Sequence, residues 1–358
     1  MVNKGSATLE VDEFVRLSAD RPVVDVRTSA EFYAGHIPNA VNLPLFSNDE
    51  RALIGTTYAE AGRQEATRVG MDLVGPRMNE MIDDLKAVVP TGPVLVHCWR
   101  GGMRSESVAW LLNFSGEFEA STLRGGYKAF RQFALTEFSR ERKITVLGGM
   151  TGSGKTHILQ GLQTRGEQVI DLEGLANHKG SAFGSIGLDK QPTQQQFENE
   201  LGVALSRTDP ERRLWLEDES RRIGRCMLPE GLWGGMRTSS CIFVDRSMEE
   251  RCAHLVADYG LADRDALVDA ISRIERRLGG VRAQEAIEFV RAGEMAAACE
   301  ILLGYYDKTY AYGLGQREES NVYRLPAKGL STEDLSADLI PFADRIEAAR
   351  IASDPAGT

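Results

Sequence analysis

The segment that most restricts the fold of this chain is the glycine-rich run from Gly149 to Thr156, which reads Gly-Met-Thr-Gly-Ser-Gly-Lys-Thr. It follows the β-rich run 143–148 and precedes the apolar start of a helix at residues 157–159. A strand that passes through such a loop into a helix presents backbone N–H groups to phosphate oxygens. We therefore expect a doubly wound α/β domain with a phosphate-binding loop (P-loop) in this half of the chain.

The P-loop residues predict a site for a phosphate chain. Its glycines let the backbone wrap phosphate oxygens, the lysine neutralises them, and the threonine hydroxyl can hold Mg²⁺. The predicted phosphate- or diphosphate-binding residues are Gly149, Gly152, Ser153, Gly154, Lys155 and Thr156. The motif does not say which molecule carries the phosphates, so nucleotide binding stays open, and Mg²⁺ is the one metal that it suggests.

Two later segments are expected to lie near this loop. The apolar run 213–216 is followed by three acids, which a doubly wound sheet would place at its ligand crevice. These candidates for a metal ligand or a base are Glu217, Asp218 and Glu219. A polar, glycine-rich loop over residues 174–184 follows another strand, and loops of this kind often carry function. Its candidate substrate-contacting residues are His178, Lys179 and Ser181.

A second apolar strand, over residues 94–97, leads directly into Cys98 and a short loop that contains Arg100 and is closed by Arg104. The backbone of such a loop can surround an anion beside the sulfur, and arginines add charge-assisted hydrogen bonds. Guanidinium groups next to a thiol also stabilise the thiolate, which is the reactive form. We predict that Cys98 is a nucleophile and that both arginines take part in its chemistry.

The residues around this loop resemble a rhodanese domain from about residue 8 to residue 135. The resemblance is carried by Asp-x-Arg at 25–27, Glu-Phe at 31–32, Gly-His-Ile-Pro-x-Ala at 35–40, and Leu-Arg-Gly-Gly-Tyr-Lys-Ala-Phe at 123–130. Asp25 and Arg27 are interpreted as a buried pair that ties the first strand to the sheet, and His36 as structural.

The Cys98 loop departs from the rhodanese pattern in its length. Five residues separate Cys98 from Arg104, whereas ordinary rhodaneses have four, so the loop is wider and suits a tetrahedral phosphorus group. His-Cys-x5-Arg-Ser is also the signature of cysteine phosphatases. A phosphatase is therefore an open alternative for this domain, although no general acid can be assigned from the sequence.

The length of 358 residues predicts two domains. The charged segment 139–143 is the expected boundary. We predict a rhodanese-like domain over 1–138, a P-loop NTPase-like domain with a helical C-terminal region over 139–345, and a frayed tail over 346–358. Helical spacing of apolar residues is expected over about 247–312, with arginines on other helix faces. These arginines are Arg273, Arg276, Arg277 and Arg282.

Composition restricts the environment. The five cysteines have no metal-like spacing and are an odd number, which indicates a reducing compartment. No signal peptide and no apolar run long enough to cross a membrane is present, so a soluble, cytoplasmic protein without membrane contact is expected. The net charge of -10 would repel a polyanion at a distance, so any RNA binding requires a local basic face.

Taken together, the two halves resemble the tRNA 2-selenouridine synthases. Beyond the rhodanese motifs, the resemblance rests on Asp-Leu-Glu-Gly-Leu-Ala-x-His-Lys-Gly-Ser-x-Phe-Gly at 171–184, on Gln-Pro-x-Gln-x-x-Phe-Glu at 191–198, and on Glu-Asp-Glu-Ser at 217–220. It implies a transferase that replaces the sulfur of wobble 2-thiouridine in tRNA with selenium. The donor would be selenophosphate, and the intermediate an S-geranylated tRNA made from geranyl diphosphate.

In this interpretation Cys98 carries selenium as S-selanylcysteine, and the P-loop binds the diphosphate of geranyl diphosphate. Two alternatives stay open at this point. One is a cysteine-dependent phosphatase or sulfurtransferase fused to a nucleotide-hydrolysing P-loop domain, and the other is a non-catalytic RNA-binding or sulfur-carrier module. The sequence leaves undetermined which tRNAs bind and through which residues, which isoprenoid length is preferred, and the oligomeric state.

Overall fold

The computed structural model describes residues 6–260 and 262–353. The chain forms two compact units. The first takes the described residues up to Glu137 together with Gln195–Ser206, and the second takes Phe138–Gln194 together with the described residues from Arg207 onward. The sequence analysis predicted two domains that are each continuous in the chain. It did not predict that residues 195–206 belong to the first unit.

The first unit is built on a five-stranded parallel sheet with the strand order β1-β5-β4-β2-β3. Its strands are β1 (Thr8–Leu9), β2 (Val23–Asp25), β3 (Ala40–Asn42), β4 (Gly92–His97) and β5 (Phe118–Leu123). Because β4 is the central strand, the residue that follows it, Cys98, leaves the sheet at the middle of its carboxyl edge. Ligand sites of parallel sheets lie at this edge.

Helices cover both faces of this sheet. They are α1 (Val11–Leu17), α2 (Ser29–Ala34), α3 (Asn48–Val74), α4 (Met78–Val88), α5 (Met103–Ser115), α6 (Gly126–Glu137) and α9 (Gln194–Ser206). Capping boxes begin two of them, at Thr28 with Glu31 and at Ser47 with Glu50. Helix α3 is broken at Gly62, whose φ of 82° is accessible to glycine and not to a regular helix.

Alternate residues of the central strands pack into different cores. Val24 and Val96 face a core completed by α4 and α5, whereas Val23 and Leu95 face a core completed by α1 and α6. A parallel sheet buried on both faces needs such nearly continuous apolar strands. This arrangement agrees with the α/β architecture expected from the sequence and fixes β4 rigidly beneath the Cys98 loop.

The second unit also contains a five-stranded parallel sheet, with the order β12-β11-β6-β8-β7. Its strands are β6 (Ile144–Gly148), β7 (Gln168–Ile170), β8 (Leu214–Glu217), β11 (Ser240–Asp245) and β12 (Val322–Pro326), and a separate antiparallel pair is formed by β9 (Arg222–Ile223) and β10 (Cys226–Met227). Strands β6 and β8 are neighbours. The P-loop after β6 and the acids at the end of β8 therefore meet at one edge.

The helices of the second unit form two groups. They are α7 (Lys155–Thr164), α8 (Leu172–Ala176), α10 (Glu230–Thr238), α11 (Met248–Tyr259), α12 (Arg264–Leu278), α13 (Gly280–Ala292), α14 (Met295–Leu314) and α15 (Thr332–Ser353). Helices α7 and α15 pack on the sheet. Helices α12 to α14 surround a core of their own that includes Ile271, Ile274 and Leu278, as the sequence periodicity predicted.

The tail expected from residue 346 is helical as far as Ser353, so this part of the prediction is wrong. Leu335, Leu339, Ala343 and Ile346 recur every three or four residues and pack into the core of the sheet. This apolar stripe holds the helix in place. Residues 354–358 lie outside the described part of the chain. Among residues 6–260 and 262–353, no helix is both long and apolar enough to span a bilayer.

Candidate functional site

The first candidate site is the loop that joins β4 to α5 and begins with Cys98. The Cys98 side chain is buried, and its carbonyl oxygen accepts a hydrogen bond of 2.8 Å from the N–H of Tyr127. Gly101 and Gly126 make this packing possible. A Cβ on Gly126 would lie 2.4 Å from the Cys98 oxygen, and one on Gly101 would lie 2.3 Å from the Leu123 oxygen. The Gly-Gly-Tyr-Lys segment at 125–128 therefore packs against the backbone of the Cys98 loop and supports it.

The sulfur of Cys98 lies among hydrogen-bond donors of its own loop. The Ser105 hydroxyl donates to Sγ at 3.3 Å, and the thiol lies 3.9 Å from the carbonyl oxygen of Gly102. Burial by itself raises the pKa of the Cys98 thiol, but the Ser105 hydroxyl and the backbone N–H groups of the loop outweigh burial, and the net pKa is below its ordinary value. The loop thus favours the nucleophilic thiolate.

The sequence analysis attributed the stabilised Cys98 thiolate to the two arginines, but the structure shows other causes for its lowered pKa. Arg104 pairs with Glu31 at 3.4 Å, and Arg100 is exposed to solvent. The main contributions that lower the Cys98 pKa come from Ser105 and loop N–H groups rather than from the two guanidinium groups. Solvent screening and the Glu31 carboxylate weaken the arginines as partners of the sulfur. Both arginines nevertheless lie next to the loop in sequence, where an anionic ligand could recruit them.

The Asp25–Arg27 pair lies beneath this loop and is fully buried, as predicted. Arg27 donates to Asp25 from Nε at 3.0 Å and from Nη2 at 2.6 Å, and Nη2 also donates to the Gly35 carbonyl at 2.8 Å. The guanidinium carbon lies 3.8 Å from the ring centre of Tyr127. His97, also fully buried, lies 3.6 Å from Asp25, and burial lowers the pKa of its imidazole. These residues support the loop and do not face solvent.

The second candidate site is the P-loop between β6 and α7. Gly152 and Gly154 have φ angles of 85° and 77°, and a Cβ on Gly152 would lie 2.8 Å from the Arg251 carbonyl oxygen. Lys155 donates from Nζ to the Gly149 carbonyl at 3.1 Å. The Ser153 hydroxyl is buried without a hydrogen-bond partner among the described residues. The unpartnered Ser153 hydroxyl and the nearby Lys155 ammonium group are placed to donate to phosphate oxygens.

Tyr310 of α14 links the P-loop to the acids of β8, and the sequence analysis did not place it in the site. The backbone N–H of Gly149 donates to the Tyr310 hydroxyl at 3.0 Å, and this hydroxyl donates to Asp218 at 2.7 Å. Arg317 pairs with the other oxygen of Asp218 at 2.6 Å. Asp218 is therefore committed to two partners in this state. The sequence predicts the position of Asp218 after a strand, but it does not predict that Tyr310 and Arg317 bind its carboxylate.

The three acids at the end of β8 have different surroundings. Glu217 is buried and accepts a hydrogen bond of 2.7 Å from the Glu173 N–H, and burial, followed by the charge of Asp171, raises its pKa well above the ordinary value. Glu219 lines the open cavity of the site. Burial, followed by the charge of Glu173, raises the pKa of Glu219 to about 8. Glu219 is thus the acid of the three that can hold or release a proton near neutral pH.

Glu173, in the first turn of α8, is a further site residue that the sequence analysis did not identify. Its carboxylate accepts a hydrogen bond of 3.4 Å from the Thr156 hydroxyl. Burial raises the pKa of Glu173, against the opposing charge of Lys155. A Cβ on Gly180, whose φ is 63°, would lie 2.7 Å from Glu173 and 2.6 Å from Glu219. Only glycine allows the polar loop to lie against both carboxyl groups.

The predicted substrate loop brings two of its three candidates to the cavity. Lys179 and Ser181 line it, and Lys179 lies 3.7 Å from Asp258 and 4.8 Å from the ring centre of Tyr259. His178 is not among the lining residues. A Cβ on Gly184 would lie 2.7 Å from its ring, and burial lowers the pKa of its imidazole. His178 therefore supports the loop rather than facing the cavity.

The cavity around the P-loop has a volume of about 840 Å³. Five cationic side chains line it, and they are Lys155, Lys179, Arg221, Arg237 and Arg277. Four tyrosines, Tyr259, Tyr305, Tyr306 and Tyr310, form part of its wall. Five acidic side chains line the cavity as well, so the preference for an anionic group rests on the P-loop end, whereas the tyrosines suit an apolar or aromatic part of a ligand.

The described residues contain no dedicated cluster of metal-ligating side chains. Across residues 6–260 and 262–353, no group of three or more His, Cys, Asp or Glu side chains is placed to hold one. Mg²⁺ at a phosphate site usually takes one or two protein ligands and completes its shell with water and phosphate oxygens. Thr156 and Glu173, which contact each other beside the P-loop, fit that limited role.

The two sites define the class of the protein: a rhodanese-like domain, with Cys98 at the end of its central strand, joined to a P-loop domain. The family model for the rhodanese-like domain matches residues 10–133, and a model described as the tRNA 2-selenouridine synthase AAA domain matches residues 142–331.

Comparison with curated proteins supplies the family. The tRNA 2-selenouridine synthase of Marinobacter nauticus is 36% identical, over 86% of this chain and 93% of that protein. The proteins of the same name from Shewanella loihica and Aeromonas salmonicida are both 35% identical; the matches cover 86% and 85% of this chain, and 91% and 90% of theirs. The chain belongs to the tRNA 2-selenouridine synthase family.

Proposed function

We propose that this protein converts wobble 2-thiouridine of tRNA to 2-selenouridine in two steps, through an S-geranyl-2-thiouridine intermediate. The P-loop unit would transfer the geranyl group from geranyl diphosphate. The Cys98 loop would then bring in selenium from selenophosphate. Support comes from the family relationship and from two chemically different sites in one chain, a thiol with a lowered pKa and a phosphate-binding cavity.

The observation that carries the prenyl part of this proposal is an apolar pocket adjoining the P-loop cavity. The pocket has a volume of about 50 Å³ and shares Thr151, Ser181, Leu255, Tyr259 and Tyr306 with that cavity. Its remaining lining is almost wholly apolar and comes mainly from the helical core. A diphosphate at the P-loop would thus have a small, water-poor space beside it, which suits part of the hydrocarbon chain of an allylic diphosphate.

In the first step the thiocarbonyl sulfur attacks the allylic carbon, the carbon–oxygen bond breaks, and diphosphate departs with the electron pair. The base loses its N3 proton. Lys155 and the P-loop N–H groups would stabilise the negative charge that builds on the diphosphate. Glu219 is suited to accept the proton, since its pKa of about 8 lies near working pH. Mg²⁺, where bound, would neutralise further charge on the diphosphate.

In the second step alkylation has made C2 more electrophilic and the sulfur a better leaving group. The net exchange consumes selenophosphate and water and releases geranylthiol and phosphate, with selenium at the level of selenide throughout. Cys98 would attack the phosphorus of the donor, so that an S–P bond forms while the Se–P bond breaks and selenide leaves to add at C2. Water would then hydrolyse the S–P bond, which releases phosphate and free Cys98, and the loop N–H groups with Arg104 would hold the phosphoryl group. The S-selanylcysteine implied by the resemblance would place selenium above the selenide level and is therefore not an intermediate of this route. It stays a prediction, which the selenium isotope pattern of the Cys98 peptide tests.

Four arginines support tRNA as the macromolecular substrate. Arg273, Arg276, Arg277 and Arg282 are exposed and form no ion pair within the described residues, and Arg277 lines the P-loop cavity. They would form the local basic face that tRNA binding requires in a chain with a net charge of -10.

The test is nucleoside mass spectrometry of tRNA after incubation with the wild-type protein. Geranyl diphosphate alone should give the geranylated nucleoside, and addition of selenophosphate should convert it to 2-selenouridine. Absence of both products would refute the proposal.

One observation favours the alternative of a cysteine phosphatase, namely the five-residue spacing from Cys98 to Arg104. Turnover of an aryl phosphate without any change to tRNA would support this alternative.

A further inference from the structure

A large apolar groove in the first unit lies at the start of α5, directly after the Cys98 loop in the chain. Its volume is about 1040 Å³, and its walls are the two segments of α3 and one side of α5. The break of α3 at Gly62 sets the two segments at an angle, so that Ile54 from one and Ala66 from the other both line the groove.

The side chains of the groove are unusual for a protein surface. Tyr58 is 59% exposed, Met71 68%, Met103 48% and Trp110 45%. Large apolar side chains gathered in one concave surface mark a binding site more often than chance exposure. Methionines in such a surface adapt to irregular apolar ligands.

Three cationic side chains, those of Arg51, Arg63 and Arg104, belong to the lining of this apolar groove. Arg63 lies 3.5 Å from the sulfur of Met103, and neither Arg51 nor Arg63 has an ion-pair partner among the described residues. An apolar surface with free guanidinium groups suits a ligand that is hydrocarbon in one part and anionic in another.

The groove and the nucleophile share the first turn of α5. Met103 and Arg104 line the groove, and the next residue, Ser105, donates its hydroxyl to Sγ of Cys98 at 3.3 Å. The α5 end of the groove therefore lies one residue along the chain from the serine that contacts the sulfur of Cys98. This proximity favours a ligand of the Cys98 site over an unrelated docking protein.

We propose that the groove binds the isoprenoid chain of S-geranyl-2-thiouridine while its C2 atom faces the Cys98 loop, with the free arginines receiving the RNA phosphates. This inference rests on the proposed function and assigns a second geranyl-binding place, distinct from the P-loop cavity. The groove makes the selenium step selective, because a base without the hydrocarbon chain lacks the apolar contacts that orient C2 toward the loop.

The test compares anticodon stem-loop RNAs that carry S-geranyl- or S-methyl-2-thiouridine, with selenophosphate and the full-length protein. Wild type should form selenouridine from the geranyl substrate with a kcat/KM about tenfold or more above that for the methyl substrate. Thr67→Trp, which fills the groove from α3, should abolish this preference mainly through KM. Gln64→Trp is the matched control, because Gln64 lies on the same helix, is exposed and is outside the groove.

Binding of the S-geranyl-2-thiouridine nucleoside, measured by calorimetry, keeps the inference testable if no selenouridine forms at all. Wild type and Gln64→Trp should bind it, and Thr67→Trp should bind it at least about tenfold more weakly. Unchanged alkylation of Cys98 in Thr67→Trp would confirm an intact loop. Equal binding or an equal geranyl preference in Thr67→Trp and wild type would overturn the inference. A change of sedimentation in Thr67→Trp, without nucleoside binding by wild type, would instead assign the groove to a second copy of the chain.

Discussion

The hydroxyl of Ser105 donates a hydrogen bond to the sulfur of Cys98 at 3.3 Å, from the first turn of the helix that follows the loop. This contact and the loop N–H groups hold the pKa of Cys98 below its ordinary value although the side chain is buried. The thiolate form of Cys98 is therefore favoured by groups of its own loop and of α5 rather than by the nearby arginines.

Ser105→Ala should raise the pKa of Cys98. A hydrogen bond to a charged group contributes about 1.5 kcal/mol, so alkylation of Cys98 by iodoacetamide at neutral pH should slow by about tenfold. The rate is measured against pH by peptide mass spectrometry. Ser107→Ala is the control, since the Ser107 hydroxyl bonds the Met103 carbonyl instead. An unchanged rate profile in Ser105→Ala would refute the role given to this serine.

Removal of one partner of the Asp25–Arg27 pair should destabilise the first unit. Arg27→Met would leave a carboxylate buried without its partner, at a cost of about 3–5 kcal/mol. Combining it with Asp25→Asn should recover part of this loss, because no uncompensated charge is then buried. Amide hydrogen exchange of the β2 and β4 peptides in the full-length protein gives the opening free energy. Equal protection in Arg27→Met and wild type would contradict the structural role of the pair.

Glu219 should make stability depend on pH in a defined direction. Its pKa is about 8 in the folded chain and near 4.5 when unfolded. Between these values the folded state binds more protons, so the stability from this group is complete below about 4.5 and is lost as the pH rises through 8. Glu219→Gln mimics the protonated acid. Its melting temperature should exceed that of wild type at pH 9 by about 2 °C or more and match it at pH 4; the reverse order would contradict the assignment.

Affinity for tRNA should fall steeply with salt despite the net charge of -10. Between roughly 50 and 200 mM salt, we expect a loss of about tenfold or more from counterion release. Arg273→Ala and Arg276→Ala should each reduce the slope of log K against log salt by about 1. Arg16→Ala, at an exposed position of the first unit, is the control. A flat dependence in wild type would exclude the basic face on α12.

The sequence predicted those parts of both sites that are contiguous in the chain. Strand β4 with the Cys98 loop and α5 lies in the continuous segment 92–115, and strand β6 with the P-loop and α7 lies in the segment 144–164. Both segments have the predicted order of elements. The acids Glu217 to Glu219 were located correctly at a strand end because neighbouring parallel strands share an edge.

The features of the sites that the sequence could not predict are contacts between residues that are far apart in the chain. Arg104 pairs with Glu31, and Tyr310 bonds both Gly149 and Asp218; no spacing rule joins residues so far apart. The different behaviour of Glu217 and Glu219 arises from unequal surroundings of two residues in one short segment. Helix α9 was assigned to the P-loop domain by its position in the chain, whereas Asn199 bonds the Tyr127 hydroxyl at 2.7 Å within the first unit.

The central claim is that the two steps reside in separate sites, and two single variants test it when tRNA nucleosides are followed by mass spectrometry. Cys98→Ser should geranylate 2-thiouridine and form no selenouridine. Lys155→Ala should geranylate about a hundredfold more slowly, from a loss of roughly 3 kcal/mol, yet convert pre-geranylated tRNA at the wild-type rate. A mixture of the two variants should then restore selenouridine formation. Selenouridine made by Cys98→Ser at the wild-type rate, or normal geranylation by Lys155→Ala together with tRNA-stimulated ATP hydrolysis by wild type, would contradict the account.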